Sequence, residues 1–309
     1  MVTVYATVRD KHGKIVASLT RDDFVLSQDG QPQQITYFAR EKDLPLKMGL
    51  LVDTSRSQES VLADERTASY GFLDHVLAGG KDLAFIIHFD SQVELLQDFT
   101  SSRQKLQAAL NLLNTPELER TSDDNPGGRR EYDGGGTLLY DAVYLASNQL
   151  MSEQQGRKAL IILSDGVDRG SKESLPDAIE AAQRADTVVY SILFKGEVPF
   201  HRGGSGRGGW GGGGMGGHGG RERYPQEERP DGKKVLERIS KETGGRLLEV
   251  SKKQTVDDIY SQIADELRNQ YILGYAPSKD ESGPGFHKIE LSAKQKILSV
   301  QARDGYYGK

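Results

Sequence analysis

The sequence predicts an α/β protein: a doubly wound, mostly parallel sheet inserted into a β-sandwich that the two ends of the chain build together. Three observations predict this. Residues 46–270 alternate short apolar runs with helix-period stretches, the pattern of successive βαβ units. Residues 2–40 show period-two alternation broken by turn residues, and residues 271–309 return to the same pattern. Three short strands on either flank are marginal alone, so a shared sandwich is expected. The boundaries read as a β flank over 1–41, an α/β domain over 42–270 and a second β flank over 271–309.

The elements follow in order. Val2, Val4, Ala6 and Val8 alternate with Thr3, Tyr5 and Thr7, and a turn follows at 10–14. Two further strands over 22–30 and 34–38 flank the Asp29-Gly30 turn. Lys47-Met48-Gly49-Leu50-Leu51-Val52 is mostly apolar, as a central strand covered on both faces must be. Val61, Leu62, Ala68, Phe72, Leu73 and Val76 keep helical spacing. Residues 84–89 read as a buried strand, 106–113 and 140–150 as helices, and 159–163, 187–194 and 246–250 as strands. Residues 256–271 space out an amphipathic helix. Strands over 271–277, 286–291 and 297–303 complete the carboxy-terminal flank.

The functional signal lies at strand ends. Directly after the 47–52 strand the chain turns polar at alternate positions, Asp53, Ser55 and Ser57. Open parallel sheets bind ligands outside the carboxyl ends of their strands, and that is where these oxygens fall. Gly134-Gly135-Gly136-Thr137 offers a threonine hydroxyl on a loop, and the 159–163 strand ends in Ser164-Asp165-Gly166. Hydroxyl and carboxylate oxygens suit a hard cation, Mg²⁺ with Mn²⁺ or Ca²⁺ as alternatives.

This D-x-S-x-S, Thr, Asp arrangement resembles the metal-ion-dependent adhesion site of von Willebrand factor A (VWFA) domains, all five of whose positions are matched. The resemblance implies that Ser55, Ser57 and Thr137 ligate the metal directly, while Asp53 and Asp165 act largely through water. A cation held mainly by neutral hydroxyls keeps much of its charge, so the implied partner is a protein that supplies an Asp or Glu. The flanks also resemble the VWFA-related proteins abundant in acidobacterial genomes, through Leu19 to Phe24, Asp29 to Ile35, Tyr271 to Tyr275 and Val300 to Tyr307. That resemblance implies a secreted, periplasmic or cell-surface protein. Met1 leads straight into a strand with no signal peptide before it, which reads as a trimmed or mature boundary, a natural cytoplasmic start being the other reading.

Composition bounds the alternatives. With 309 residues and a formal net charge of −5, the chain has no general attraction for nucleic acid or anionic lipid. It has no cysteine, which excludes disulfides and thiolate metal sites. No run of about 20 apolar residues is present to span a membrane. Catalysis lacks its supporting residues: the histidines show no H-E-x-x-H spacing and no serine sits in a G-x-S-x-G elbow. His88, inside an apolar strand, reads as a core or sheet-edge residue. A glycine-rich insertion at 201–223 carries Arg202, Arg207 and Trp210, which raises contact with nucleic acid as an alternative; the bland reading is a mobile loop, of which residues 203–220 can be deleted without loss of fold. Asp123, Asp124, Glu131 and Asp133 are either an auxiliary cation site or a solvated loop.

Overall fold

The computed structural model describes residues 1–40, 45–77, 81–114, 136–194, 231–278 and 283–308. The amino-terminal flank forms β1 (Val2–Arg9), β2 (Phe24–Gln28), β3 (Gln31–Gln33) and β4 (Ile35–Ala39). The α/β segment opens with β5 (Leu46–Asp53), α1 (Leu62–Val76), β6 (Leu83–Phe89), β7 (Val93–Thr100) and α2 (Arg103–Leu110). It continues through α3 (Leu139–Leu145), which runs into a π-helical turn, then β8 (Arg157–Ser164), α4 (Leu175–Arg184) and β9 (Val188–Leu193). It ends with α5 (Gly232–Thr243), β10 (Leu247–Glu249) and α6 (Val256–Arg268). The carboxy-terminal flank adds β11 (Tyr271–Tyr275), β12 (Gly285–Ala293), β13 (Ser299–Gln301) and β14 (Gly305–Gly308). No helix among the described residues is long and apolar enough to cross a membrane.

The central sheet has the order β10-β9-β8-β5-β6-β7, parallel except for β7 at one edge. Side chains alternate across it. Met48, Leu50 and Val52 of β5 face one way and pack beneath α1, α2 and α6. Leu51, with Phe85 and Ile87 of β6, faces the other way beneath α3, α4 and α5. Each such buried aliphatic side chain contributes about 1.5–3 kcal/mol relative to exposure, which is why residues 48–52 of β5 and 159–163 of β8 carry no polar side chain. The chain runs from β5 to β6 on one side and later places β8 on the other. The gap between β5 and β8 is therefore the topological switch point, where open sheets leave a crevice for ligands.

The flanks interleave. One sheet has the order β13-β1-β11-β4 and the other β14-β12-β2-β3, so each contains strands from both ends of the chain. A single apolar core joins them, with Val4, Ala6, Phe24 and Leu26 from one flank against Tyr271, Leu273, Tyr275 and Ile289 from the other. Tyr271 donates its hydroxyl to the Val16 carbonyl (2.9 Å) and accepts from the Leu19 amide (3.0 Å), so a carboxy-terminal residue fastens the amino-terminal loop. The α/β segment leaves after β4 and returns at β11, and these two strands are paired, Ala39 opposite Ile272.

Each flank contributes four strands, where three were expected. The additions, β3 and β14, are three and four residues long, too short to show alternation. Helices α4 and α5 and strand β7 also go beyond the expected set. β7 is a half-exposed edge strand with mixed polarity, and only its antiparallel pairing with β6 makes it a strand. The auxiliary acidic residues at 123–133, the glycines at 134 and 135, and the Arg/Gly-rich insertion lie outside the described residues.

Candidate metal centre

The site begins where β5 ends. Asp53 is fully buried, and its two carboxylate oxygens point to different elements. Oδ1 accepts the Ser55 amide at 2.9 Å, turning the chain sharply after the strand. Oδ2 accepts the Ser164 hydroxyl at 2.6 Å. This second bond follows from register: Val52 lies opposite Leu163, so the next residues, Asp53 and Ser164, meet at the same level of adjacent parallel strands. Ser164 in turn accepts the Gly166 amide at 2.9 Å. Burial pushes the Asp53 carboxyl up to about 6, partly offset by the Ser164 and Ser55 hydrogen bonds, with the Asp165 charge adding to the rise.

The hydroxyls of Ser55 and Ser57 lie 3.0 Å apart; Ser55 is buried and Ser57 exposed. Two hydroxyls in contact beside a buried carboxylate form a compact set of hard oxygen donors. Asp165 continues past β8, and its carboxylate accepts the Val167 amide at 3.0 Å. The turn behind it allows no side chain at residue 166. Gly166 has φ +80°, and a Cβ there would sit 2.2 Å from the Gly232 carbonyl oxygen. The amino terminus of α5 thus packs directly onto the Asp165 turn.

Thr137 reaches the same end of the sheet through the backbone. Its amide donates to the Arg169 carbonyl (3.0 Å) and its carbonyl accepts from the Arg169 amide (2.8 Å), which ties it to the loop after β8. The next residue, Leu138, donates to the Asp90 carbonyl (2.9 Å) in the loop after β6, while Thr54 donates to the Phe89 carbonyl (3.0 Å). The loops that follow β5, β6 and β8 and the segment at 136–138 are thereby stitched into one surface. His88 supports the seam: Nδ1 lies 3.1 Å from the Thr54 hydroxyl and Nε2 lies 3.2 Å from the Glu94 carboxylate.

Asp53, Ser55, Ser57 and Asp165 therefore gather at the switch point, and Thr137 is held at the same rim. Among the described residues, no Lys, Arg or His forms an ion pair with Asp53 or Asp165. No group of three His, Cys, Asp or Glu side chains is arranged to hold a metal among the described residues. Sequence reasoning singled out neither Ser164 nor Glu65. Ser164 directly precedes Asp165. Glu65 occupies a position on the apolar stripe of α1 and is fully buried, and the charge on Asp53 reaches it.

The α/β unit is a six-stranded, mostly parallel sheet with helices on both faces. The sequence matches no family model and no curated protein, but solved structures resemble it. An aerotolerance-related membrane protein from Bacteroides fragilis aligns over 72% of this chain and 98% of its own, at 15% identity and a TM-score of 0.46. The vWF domain of the type V pili tip protein Mfa5 from Porphyromonas gingivalis aligns over 40% of this chain and 39% of its own, at 19% identity and a TM-score of 0.33. Proximal thread matrix protein 1 from the mussel byssus, with a zinc-occupied MIDAS motif, aligns over 79% of this chain and 50% of its own, at 12% identity and a TM-score of 0.48. These are remote likenesses of fold.

Proposed function

We propose that the chain is a non-enzymatic, divalent-cation-dependent protein-binding module that grips an acidic side chain of its partner. The observation that carries the reading is Asp53: a buried carboxylate with no ion pair among the described residues, hydrogen-bonded to Ser164 and flanked by the touching hydroxyls of Ser55 and Ser57. Ser55, Ser57 and Thr137 would hold the cation, with Asp53 and Asp165 orienting its waters and the hydroxyls. The donors are all oxygen, which fits Mg²⁺, Mn²⁺ or Ca²⁺ better than a soft metal. When bound, the cation supplies an incompletely compensated positive charge on which a partner carboxylate can sit. The partner's side chain completes the coordination, so recognition and metal loading are one event.

Two measurements test this. Calorimetric titration with Mg²⁺ and Mn²⁺ is expected to give one site in the wild type and none in Asp53→Ala; equal binding by both proteins would remove the assignment. A pull-down from the native surface or medium, run with Mg²⁺ and with chelator, is expected to recover a partner only with Mg²⁺. A partner retained in chelator and by Asp165→Ala would make the metal structural and move recognition to another surface.

A further inference from the structure

Helix α1 carries an acid on the stripe that faces the core. Val61, Glu65, Ala68, Phe72 and Val76 follow one another at spacings of three or four, a single face of the helix. Glu65 is 0% exposed, like Gln58 in the turn before the helix. Among the described residues, neither oxygen of the Glu65 carboxylate and neither polar atom of the Gln58 amide has a hydrogen-bond partner. A buried carboxylate with neither a donor nor a countercharge is among the most destabilising features a core can hold.

The placement of the two side chains points to what compensates them. Backbone hydrogen bonds run from the Gln58 amide to the Ser55 carbonyl (2.9 Å), from Val61 to Gln58 (2.9 Å) and from Glu65 to Val61 (3.0 Å). Residues 55, 58, 61 and 65 thus lie along successive turns that lead from the site loop into the helix. A helical side chain leans over the turn that precedes it, so Glu65 leans back along this line, toward Gln58 and the loop. Burial raises its carboxyl well above the ordinary range, and the Asp53 charge adds to the rise. Tyr260 of α6 packs on the same side but is already engaged by the Ser69 hydroxyl at 2.9 Å.

We propose that Glu65 is the buried countercharge of the cation held at the Asp53, Ser55, Ser57, Thr137 and Asp165 site, with Gln58 beside it on the inner wall. This rests on the reading of that site given above. A carboxylate behind the cation, out of reach of solvent and of the partner, strengthens retention of the metal. It also softens the metal's pull on an incoming acid. Glu65 is a positioning residue, acting on the cation through the inner wall of the site.

The test compares the full 309-residue protein with its Glu65→Gln variant, which keeps the shape and removes the charge. Mg²⁺ binding is read by calorimetry and unfolding by thermal melts in chelator and in Mg²⁺. The variant is expected to bind Mg²⁺ about 10–100-fold more weakly, the range found when outer-shell partners of a metal are removed. It is also expected to melt no lower than wild type in chelator, and to gain less from added Mg²⁺. A purely structural glutamate would give the opposite: unchanged affinity, with a lower melt or failure to fold in chelator. Either of those results overturns the proposal. If wild type binds Mg²⁺ and the variant matches it, only the role of Glu65 falls. If wild type binds neither Mg²⁺ nor Mn²⁺, the cation reading falls as well.

Discussion

At the scale of single residues, the chemistry of the site turns on Asp53 and on what surrounds its two oxygens. Its folded-state value of about 6 lies above the value of about 3.9 expected in the unfolded chain. Without metal, the folded protein therefore holds that proton more tightly than the unfolded chain does. The associated stability is complete below about pH 4 and is lost as pH rises through about 6. Cation binding has the opposite dependence, because the carboxylate must be free of its proton to serve the metal. The melting temperature in chelator is expected to fall between pH 4.5 and 7, while the increase produced by Mg²⁺ grows over the same interval. Asp53→Asn should weaken both trends, with the raised Glu65 carboxyl retaining part of the first; if it leaves them intact, another group is responsible. Ser164 offers a second handle. Its hydroxyl fixes Oδ2 of Asp53, so Ser164→Ala is expected to weaken Mg²⁺ binding by about tenfold without unfolding the sheet. Calorimetry beside circular dichroism separates the two effects.

At the scale of elements, the turn after β8, packed against the amino terminus of α5, is the least forgiving part of the site. Gly166 combines a positive φ with a carbonyl oxygen 2.2 Å from where a Cβ would stand. Gly166→Ala is expected to destabilise the fold by more than about 1 kcal/mol, visible as a lower urea midpoint with an unchanged slope; an unshifted midpoint would show that α5 can move away. Much of this level was legible beforehand. The apolar run of β5 and the polar alternation after it are local patterns, and local patterns survive in sequence. What escaped depends on distant partners. β7 becomes a strand only by lying antiparallel to β6, and β3 and β14 only by closing the edges of one sheet. Ser164 acquires its role from register with Asp53, one strand away in space and 111 positions away in sequence. Glu65 was readable in part, since an acid on the apolar stripe of α1 breaks the helix pattern, but its meaning needs the buried neighbour that the fold supplies.

At the scale of the whole molecule, the two flanks depend on each other while the α/β unit carries its own two cores. Residues 42–270 expressed alone are expected to fold and bind Mg²⁺, and either flank alone is expected to remain unfolded; dispersed NMR signals from an isolated flank would contradict this. Polar contacts still couple the units. Glu266 on α6 pairs with Arg9 of β1 as well as with Arg246, and Arg303, between β13 and β14, reaches Asp186 ahead of β9. The pairing of β4 with β11, through which the α/β unit leaves and re-enters the sandwich, has a mechanical consequence. Tension applied between residues 2 and 308 is borne first by the interleaved strands of the sandwich, and the metal-bearing unit stays off the load path until those strands part. In a single-molecule pulling experiment the first extension should therefore have the length of flank strands, with the metal site intact behind it. A first rip as long as the α/β unit would show that the load had found another route.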